Sequence, residues 1–215
     1  MKDYLSKLRK DYGKTTLDIS DVDSDPIRQM EKWLTEAANS GVTEPNAFVL
    51  STADKSGRVS GRILLLRNLN QAGLTFYTNY ESLKARQIAE NSLGAATFFW
   101  ADMERQVRVE GPIVRIPAME SLEYFKSRPR ENQIGAWASP QSRPIPNRQW
   151  LEDEVEKFRQ QFHNSPVPKP PHWGGYRLQP LLFEFWQGRP SRLHDRILFS
   201  RPHLDAPWHL ERLAP

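Results

Sequence analysis

No cysteine occurs among the 215 residues. That absence excludes disulfide scaffolds, thiolate zinc sites, iron–sulfur clusters and cysteine nucleophiles. No apolar run reaches the roughly 18 residues that a membrane-spanning helix needs. The opening stretch MKDYLSKLRKDYGK is charged throughout and lacks the apolar centre of a signal peptide. A cytoplasmic protein without membrane contact is expected. Histidine is scarce, with five residues at 163, 172, 194, 203 and 209. Their spacing matches no metal-ligand motif, so no metal is expected. Also missing are G-x-G-x-x-G after a strand, G-x-x-x-x-G-K-[ST], H-E-x-x-H and G-x-S-x-G, which argues against Rossmann dehydrogenases, P-loop enzymes, metallohydrolases and serine hydrolases. The string Gly57-Arg58-Val59-Ser60-Gly61 puts its serine one place late for a nucleophile elbow. Charge of one sign is not abundant either. The net +4 is spread along the chain, which suits an anionic ligand and argues against nucleic acid.

What is present reads as one α+β domain. With 38% hydrophobic residues the chain can bury a sizeable core. The polar residues 1–24 are expected to form a flexible N-terminal arm, and residues 25–215 a single domain. Ser24-Asp25-Pro26 is a helix start, followed by Ile27, Met30, Trp33, Leu34 and Ala37 at helical spacing, with Gly41 beyond the end. Strands are expected at 47–53, 58–67, 74–78, 94–101 and 104–116, with a short helix at about 80–91. In 104–116, Val107 and Val109 share one face, while Gln106, Arg108 and Glu110 share the other. Strands this close, joined mostly by hairpins, predict an antiparallel sheet or barrel with peripheral helices. Pro117 opens a helix with Met119, Leu122 and Phe125 inward, and a second helix spans about 147–163. The stretch 127–146 between them reads as a long loop. Terminal strands are expected at about 176–187, 192–199 and 207–213.

The candidate chemistry lies in arginines set among apolar residues. Arg62 and Arg67 bracket Ile63, Leu64, Leu65 and Leu66; arginines at strand ends often simply reach solvent. A strand from Arg192 would align Arg192, His194 and Arg196 on one face, either as a charged edge or beneath an anionic ligand. Trp186 on a neighbouring strand adds a surface for a flat aromatic ligand. Tyr124, Arg128 and Arg130 at one helix end, and Ser82, Lys84 and Arg86 at another helix start, could each hold a phosphate or merely complement the helix. Physical reasoning thus reaches one or more phosphorylated small molecules bound in a barrel cleft.

The motifs FEFWQ (183–187) and RLHDR (192–196) resemble the C-terminal signature of pyridoxine/pyridoxamine 5′-phosphate oxidases. RILLLR (62–67), FYTN (76–79), ERQVRVEG (104–111), YFKSRPR (124–130), IGAWAS (134–139), WGG (173–175) and RLAP (212–215) extend the resemblance over nearly the whole chain. It implies an FMN-binding split β-barrel that forms a homodimer with flavin at the subunit interface. It further implies oxidation of pyridoxine 5′-phosphate and pyridoxamine 5′-phosphate to pyridoxal 5′-phosphate, with O2 reduced to H2O2.

Carried over by position, the resemblance gives flavin contacts within 62–67 (Arg62, Ile63, Leu64, Leu65, Leu66, Arg67) and at Tyr77, Thr78, Lys84 and Gln106 from one subunit. Gln141, Ser142, Trp186 and Arg196 come from the other. Substrate contacts are Arg9, Tyr12, Arg67, Tyr124, Arg128, Asn132, Arg192 and His194, with Arg192 and His194 at the reacting ring. Three positions depart from the family pattern: Arg67 replaces lysine, Asn132 replaces serine, and Leu83 replaces the arginine before the phosphate lysine. Arg86, three residues on, is expected to take over from that missing arginine. A phenazine-forming relative, a flavin- or vitamer-binding module without turnover, and a nucleic-acid-binding barrel are the rival readings.

Overall fold

The structure is a computed structural model describing residues 1, 4, 7 and 11–215. Helix α1 (Pro26–Asn39) starts where expected: the Asp25 carboxylate accepts the Ile27 amide and Pro26 occupies the first turn. Ten strands follow in antiparallel pairings: β1 (Ala47–Ala53), β2 (Val59–Leu65), β3 (Asn68–Asn70), β4 (Gly73–Asn79), β5 (Leu93–Trp100), β6 (Arg105–Arg115), β7 (Trp173–Leu178), β8 (Leu182–Gln187), β9 (Asp195–Ser200) and β10 (His209–Leu213). Helix α2 (Leu83–Glu90) joins β4 to β5, and α3 (Ala118–Ser127), α4 (Arg130–Ala138) and α5 (Arg148–Gln161) lie between β6 and β7.

The main path of the sheet runs β10-β9-β8-β6-β5-β1-β2, while β7 links the far end of β6 to β4 and β3. The long strand β6 therefore belongs to both halves, curling the sheet into a split barrel. Gly111 sits at that corner. A Cβ there would lie 1.9 Å from the Gln179 carbonyl oxygen, so only glycine lets the β7–β8 link cross so closely. Gly111→Ala is expected to lower stability by about 3 kcal/mol, at the upper end of overpacking costs, and a thermal melt checks it.

The concave face buries Phe48, Leu50, Phe98, Val107, Val109, Phe183, Phe185, Ile197 and Phe199. Helix α1 packs within this core, with the Trp33 ring 5.3 Å from Phe185 and edge-on to it. A second cluster, Phe125, Ile134, Phe162, Val167 and Trp173, holds α3–α5 together.

Several expectations need correcting. The expected strand 58–67 ends at Leu65, because Leu66 turns into the core and Arg67 leads into β3. The supposed loop 127–146 contains α4, whose Ile134 and Ala138 are buried. Pro180 interrupts the expected strand 176–187, leaving β7 and β8. Met119 points to solvent while Ser121 and Phe125 face inward, which rotates α3 relative to the expected stripe. The expected strand from Arg192 begins only at Asp195, since Ser191 and Arg192 adopt left-handed φ angles of 56° and 63°.

Candidate functional site

The expected site residues separate into two groups within one chain. The first surrounds a cavity of about 460 Å³ lined by Ile63, Leu64, Leu65, Arg67, Tyr77, Thr78, Tyr124, Arg128, Asn132 and Gln141. Strand β2 supplies the leucine stretch, β4 supplies Tyr77 and Thr78, and the α3–α4 junction supplies Arg128 and Asn132. Tyr77 stacks on Tyr124 at 3.8 Å and on Trp173 at 5.4 Å, forming an aromatic wall. Burial, with Tyr124 adding to it, pushes the Tyr77 hydroxyl up to about 12.

Two pairs of cations adjoin this wall. The Arg128 guanidinium lies 4.6 Å over Trp173, and its Nη1 is buried without a hydrogen-bond partner. Burial pushes Arg128 down from its ordinary pKa, and Arg67 acts in the same direction. At the other end, Lys84 Nζ donates to Gln141 Oε1 at 3.0 Å and Thr78 Oγ1 at 3.2 Å. Arg62 Nη1 donates to Thr52 Oγ1 at 2.6 Å and the Leu50 carbonyl at 3.1 Å. These acceptors are all neutral. Burial, reinforced by Arg62, pulls the Lys84 ammonium down to about 8. Ser82 accepts the Ala85 amide as N-cap, placing the start of α2 beside this pair. Each pair is a concentration of positive charge suited to a phosphate.

The second group sits across the sheet. The register aligns Gln106 on β6 with Trp186 on β8, and Trp186 with Arg196 on β9. The His194 ring lies 4.6 Å from Trp186 and 5.9 Å from Tyr12, with Arg192 in the adjoining turn. Arg196 is held by Glu184 through Nε at 2.9 Å and Nη2 at 3.1 Å. Burial pushes Glu184 up, but hydrogen bonds from Arg196 and Arg108 outweigh it and keep the carboxyl below its usual range.

Gln141 lies against Thr78 and Lys84 of its own chain, where α4 brings the chain back onto β4. Ser142 follows it, exposed and left-handed with φ 69°. The Leu66 side chain is buried in the core. Arg86, exposed on the same face of α2 as Leu83, donates to the Glu81 carbonyl at 2.5 Å. Arg9 lies outside the described residues. Sequence reasoning overlooked Trp173 as part of the aromatic wall, although its WGG motif was visible.

Residues 34–162 match the family described as pyridoxamine 5′-phosphate oxidase. Residues 173–215 match the pyridoxine 5′-phosphate oxidase C-terminal dimerisation region. The chain belongs to the pyridoxine/pyridoxamine 5′-phosphate oxidase family. Among its relatives, a pyridoxine/pyridoxamine 5′-phosphate oxidase of Paraburkholderia phytofirmans is 48% identical over 98% of this chain and 99% of its own length. One of Ralstonia pickettii is 49% identical with the same coverage. Among solved structures, PhzG of Burkholderia lata in complex with tetrahydrophenazine-1-carboxylic acid superposes with a TM-score of 0.88 at 27% identity, over 95% of this chain and all of that one. The split-barrel architecture and a homodimer-forming C-terminal region are thus both features of this oxidase family member.

The cofactor of the family, FMN, carries a phosphate and a flat ring system. The residues here fit it: two cations, Arg62 and Lys84, have only neutral hydrogen-bond partners at the start of a helix, and an apolar strand segment leads away from them toward the aromatic wall.

Proposed function

We propose that this chain oxidises pyridoxine 5′-phosphate and pyridoxamine 5′-phosphate to pyridoxal 5′-phosphate using FMN held between two subunits. The supporting observation is two pairs of cations, Arg67 and Arg128 lining the cavity, and Lys84 with Arg62, where Lys84 bonds to the lining residues Thr78 and Gln141, one pair for each phosphate of a cofactor–substrate pair. Arg62, Lys84, Thr78, Gln141 and Ser142 would hold the cofactor phosphate. Arg67, Arg128, Tyr124 and Asn132 would hold the substrate phosphate.

The second group argues for the dimer. From β2 to β8 is four strand steps, or about 19 Å along the sheet, too far for one flavin ring to touch both in the same chain. Between them the same face exposes Val49, Ile63 and Phe99. A two-fold partner covering this apolar face would bring its own Gln106, Trp186 and Arg196 to the flavin, with its Arg192 and His194 facing the pyridine ring.

FMN would supply the two-electron acceptor, and O2 would reoxidise it while being reduced to H2O2. The protein contributes orientation. Arg67 and Arg128 anchor the phosphate end of the substrate, so its C4′ carbon is fixed relative to the ring. Tyr12 packs edge-on to Trp186 at 5.7 Å and would help exclude water above the site. Loss of hydride from C4′ with the hydroxyl proton would give the aldehyde directly; from the amine it would give an imine, which water hydrolyses with release of ammonia, and His194 would orient the reacting substituent without being an obligatory base. Phosphorylated vitamers are consistent with a cytoplasmic location, and among the described residues no helix is long and apolar enough to cross a membrane.

The test is anaerobic addition of pyridoxine 5′-phosphate to the FMN-loaded protein. Bleaching of the flavin absorption supports the reading. A flavin that stays oxidised with both vitamers rejects it, and bleaching only by a dihydrophenazine carboxylic acid would move the chain to the phenazine-type reaction.

A further inference from the structure

The terminal motif RLAP takes no part in the cavity or in the aromatic patch, yet its arginine joins three parts of the chain. From β10, Arg212 Nη1 donates to Asp195 Oδ1 at 2.9 Å. Its Nη2 donates to the Leu17 carbonyl at 3.0 Å and lies 3.1 Å from the Asp18 carboxylate. Asp195, the first residue of β9, accepts on Oδ2 from the Leu17 amide at 3.1 Å and from Arg189 Nη1 at 3.4 Å. One carboxylate and one guanidinium therefore tie the N-terminal arm, the 189–194 turn and the last strand together.

That turn needs tying. Ser191 and Arg192 both have left-handed φ angles, which residues with a Cβ hold only when their surroundings impose it. Arg189 closes the turn twice, through its guanidinium on Asp195 and through its amide, which donates to His194 Nδ1 at 3.1 Å. With Nδ1 accepting, the ring proton sits on Nε2, so His194 offers an Nε2–H edge. From the arm, Tyr12 covers His194, and the Gly13 and Lys14 amides donate to the Glu104 carboxylate at 2.8 and 3.0 Å.

We propose that Asp195 and Arg212 form a clasp that couples the docked arm to the turn, fixing Arg192 and the Nε2–H edge of His194 toward the substrate. Arg212 is thereby a positioning residue of the oxidase, contacting neither substrate nor cofactor itself. The proposal rests on the reading of Arg192 and His194 as substrate-facing. Lysine at 212 could pair with Asp195 but lacks the planar fork that also reaches the Leu17 carbonyl.

The test is a double-mutant cycle on the FMN-loaded dimer, combining Arg212→Met with His194→Asn and following turnover of pyridoxine 5′-phosphate. Arg212→Met alone is expected to lower kcat/KM about tenfold with flavin content and dimer unchanged, but less than about twofold in the His194→Asn background. Arg212→Lys should recover part of the loss, and it replaces Arg212→Met in the cycle if that variant fails to hold flavin or to dimerise. A tenfold loss in both backgrounds overturns the clasp, because the effect would then bypass His194. So does an Arg212→Met variant within twofold of the parent while His194→Asn is impaired, an outcome that leaves the site reading intact. Full turnover by His194→Asn would instead overturn the site reading, and the clasp with it.

Discussion

Replacing Arg128 by methionine is expected to raise the KM for pyridoxine 5′-phosphate about a hundredfold while flavin content stays unchanged. The guanidinium is half-buried at the end of α3, stacked 4.6 Å over Trp173, with Nη1 enclosed and unbonded. An enclosed donor without an acceptor is a standing cost, relieved when an anion arrives. Loss of a charge-assisted contact of this kind is worth about 2–3 kcal/mol, which is roughly a hundredfold in affinity. Methionine retains much of the packing on Trp173, so the loss reads the charge and not a cavity. Steady-state kinetics with both phosphorylated vitamers check it. A change confined to kcat would show that Arg128 acts on the chemistry and not on the phosphate. Arg67 stands on the same pocket in place of the family's lysine, and its fork suits a phosphate oxygen pair.

Lys84→Met should weaken FMN binding about a hundredfold, by the same arithmetic of a buried cation facing a phosphate. The pH dependence is equally specific. Burial, aided by Arg62, draws the Lys84 ammonium from 10.5 down to about 8 in the flavin-free fold. Between about pH 8 and 10.5 the unfolded chain therefore binds more protons than the folded one, so the flavin-free protein gains stability as pH rises through that window. Phosphate binding requires the ammonium, so FMN affinity falls over the same range. Opposite pH trends in the flavin-free melting temperature and in FMN affinity, both abolished by Lys84→Met, are the expected signature. Fluorescence titration and thermal melts at pH 7 to 10 measure them. Arg86→Ala is the control: its guanidinium serves the Glu81 carbonyl, and FMN affinity should stay within about twofold.

Local signals in the chain were sufficient for α1, whose Asp25-Pro26 start and apolar spacing specify a capped amphipathic helix without outside help. The alternation in β6 likewise placed Val107 and Val109 inside and Gln106 and Arg108 on the opposite face. The motif strings from RILLLR to RLHDR determined the family and, with it, the phosphorylated ligands. These are properties of neighbours along the chain, where period and capping act over a few residues.

Tertiary structure alone decided the rest. Whether 127–146 is loop or helix depended on Ile134 finding Phe125, Phe162 and Trp173, contacts that no local propensity encodes. Gln141 joined Lys84 of its own chain because α4 folds it back onto β4. The turn that breaks the expected stripe of Arg192, His194 and Arg196 is joined through Arg189 to Asp195, which pairs with Arg212 17 positions away and, like it, bonds to Leu17. Sequence carries the chemistry of each side chain; which charges face each other, and which remain unpaired and ready for a phosphate, follows only from how the strands close into the barrel.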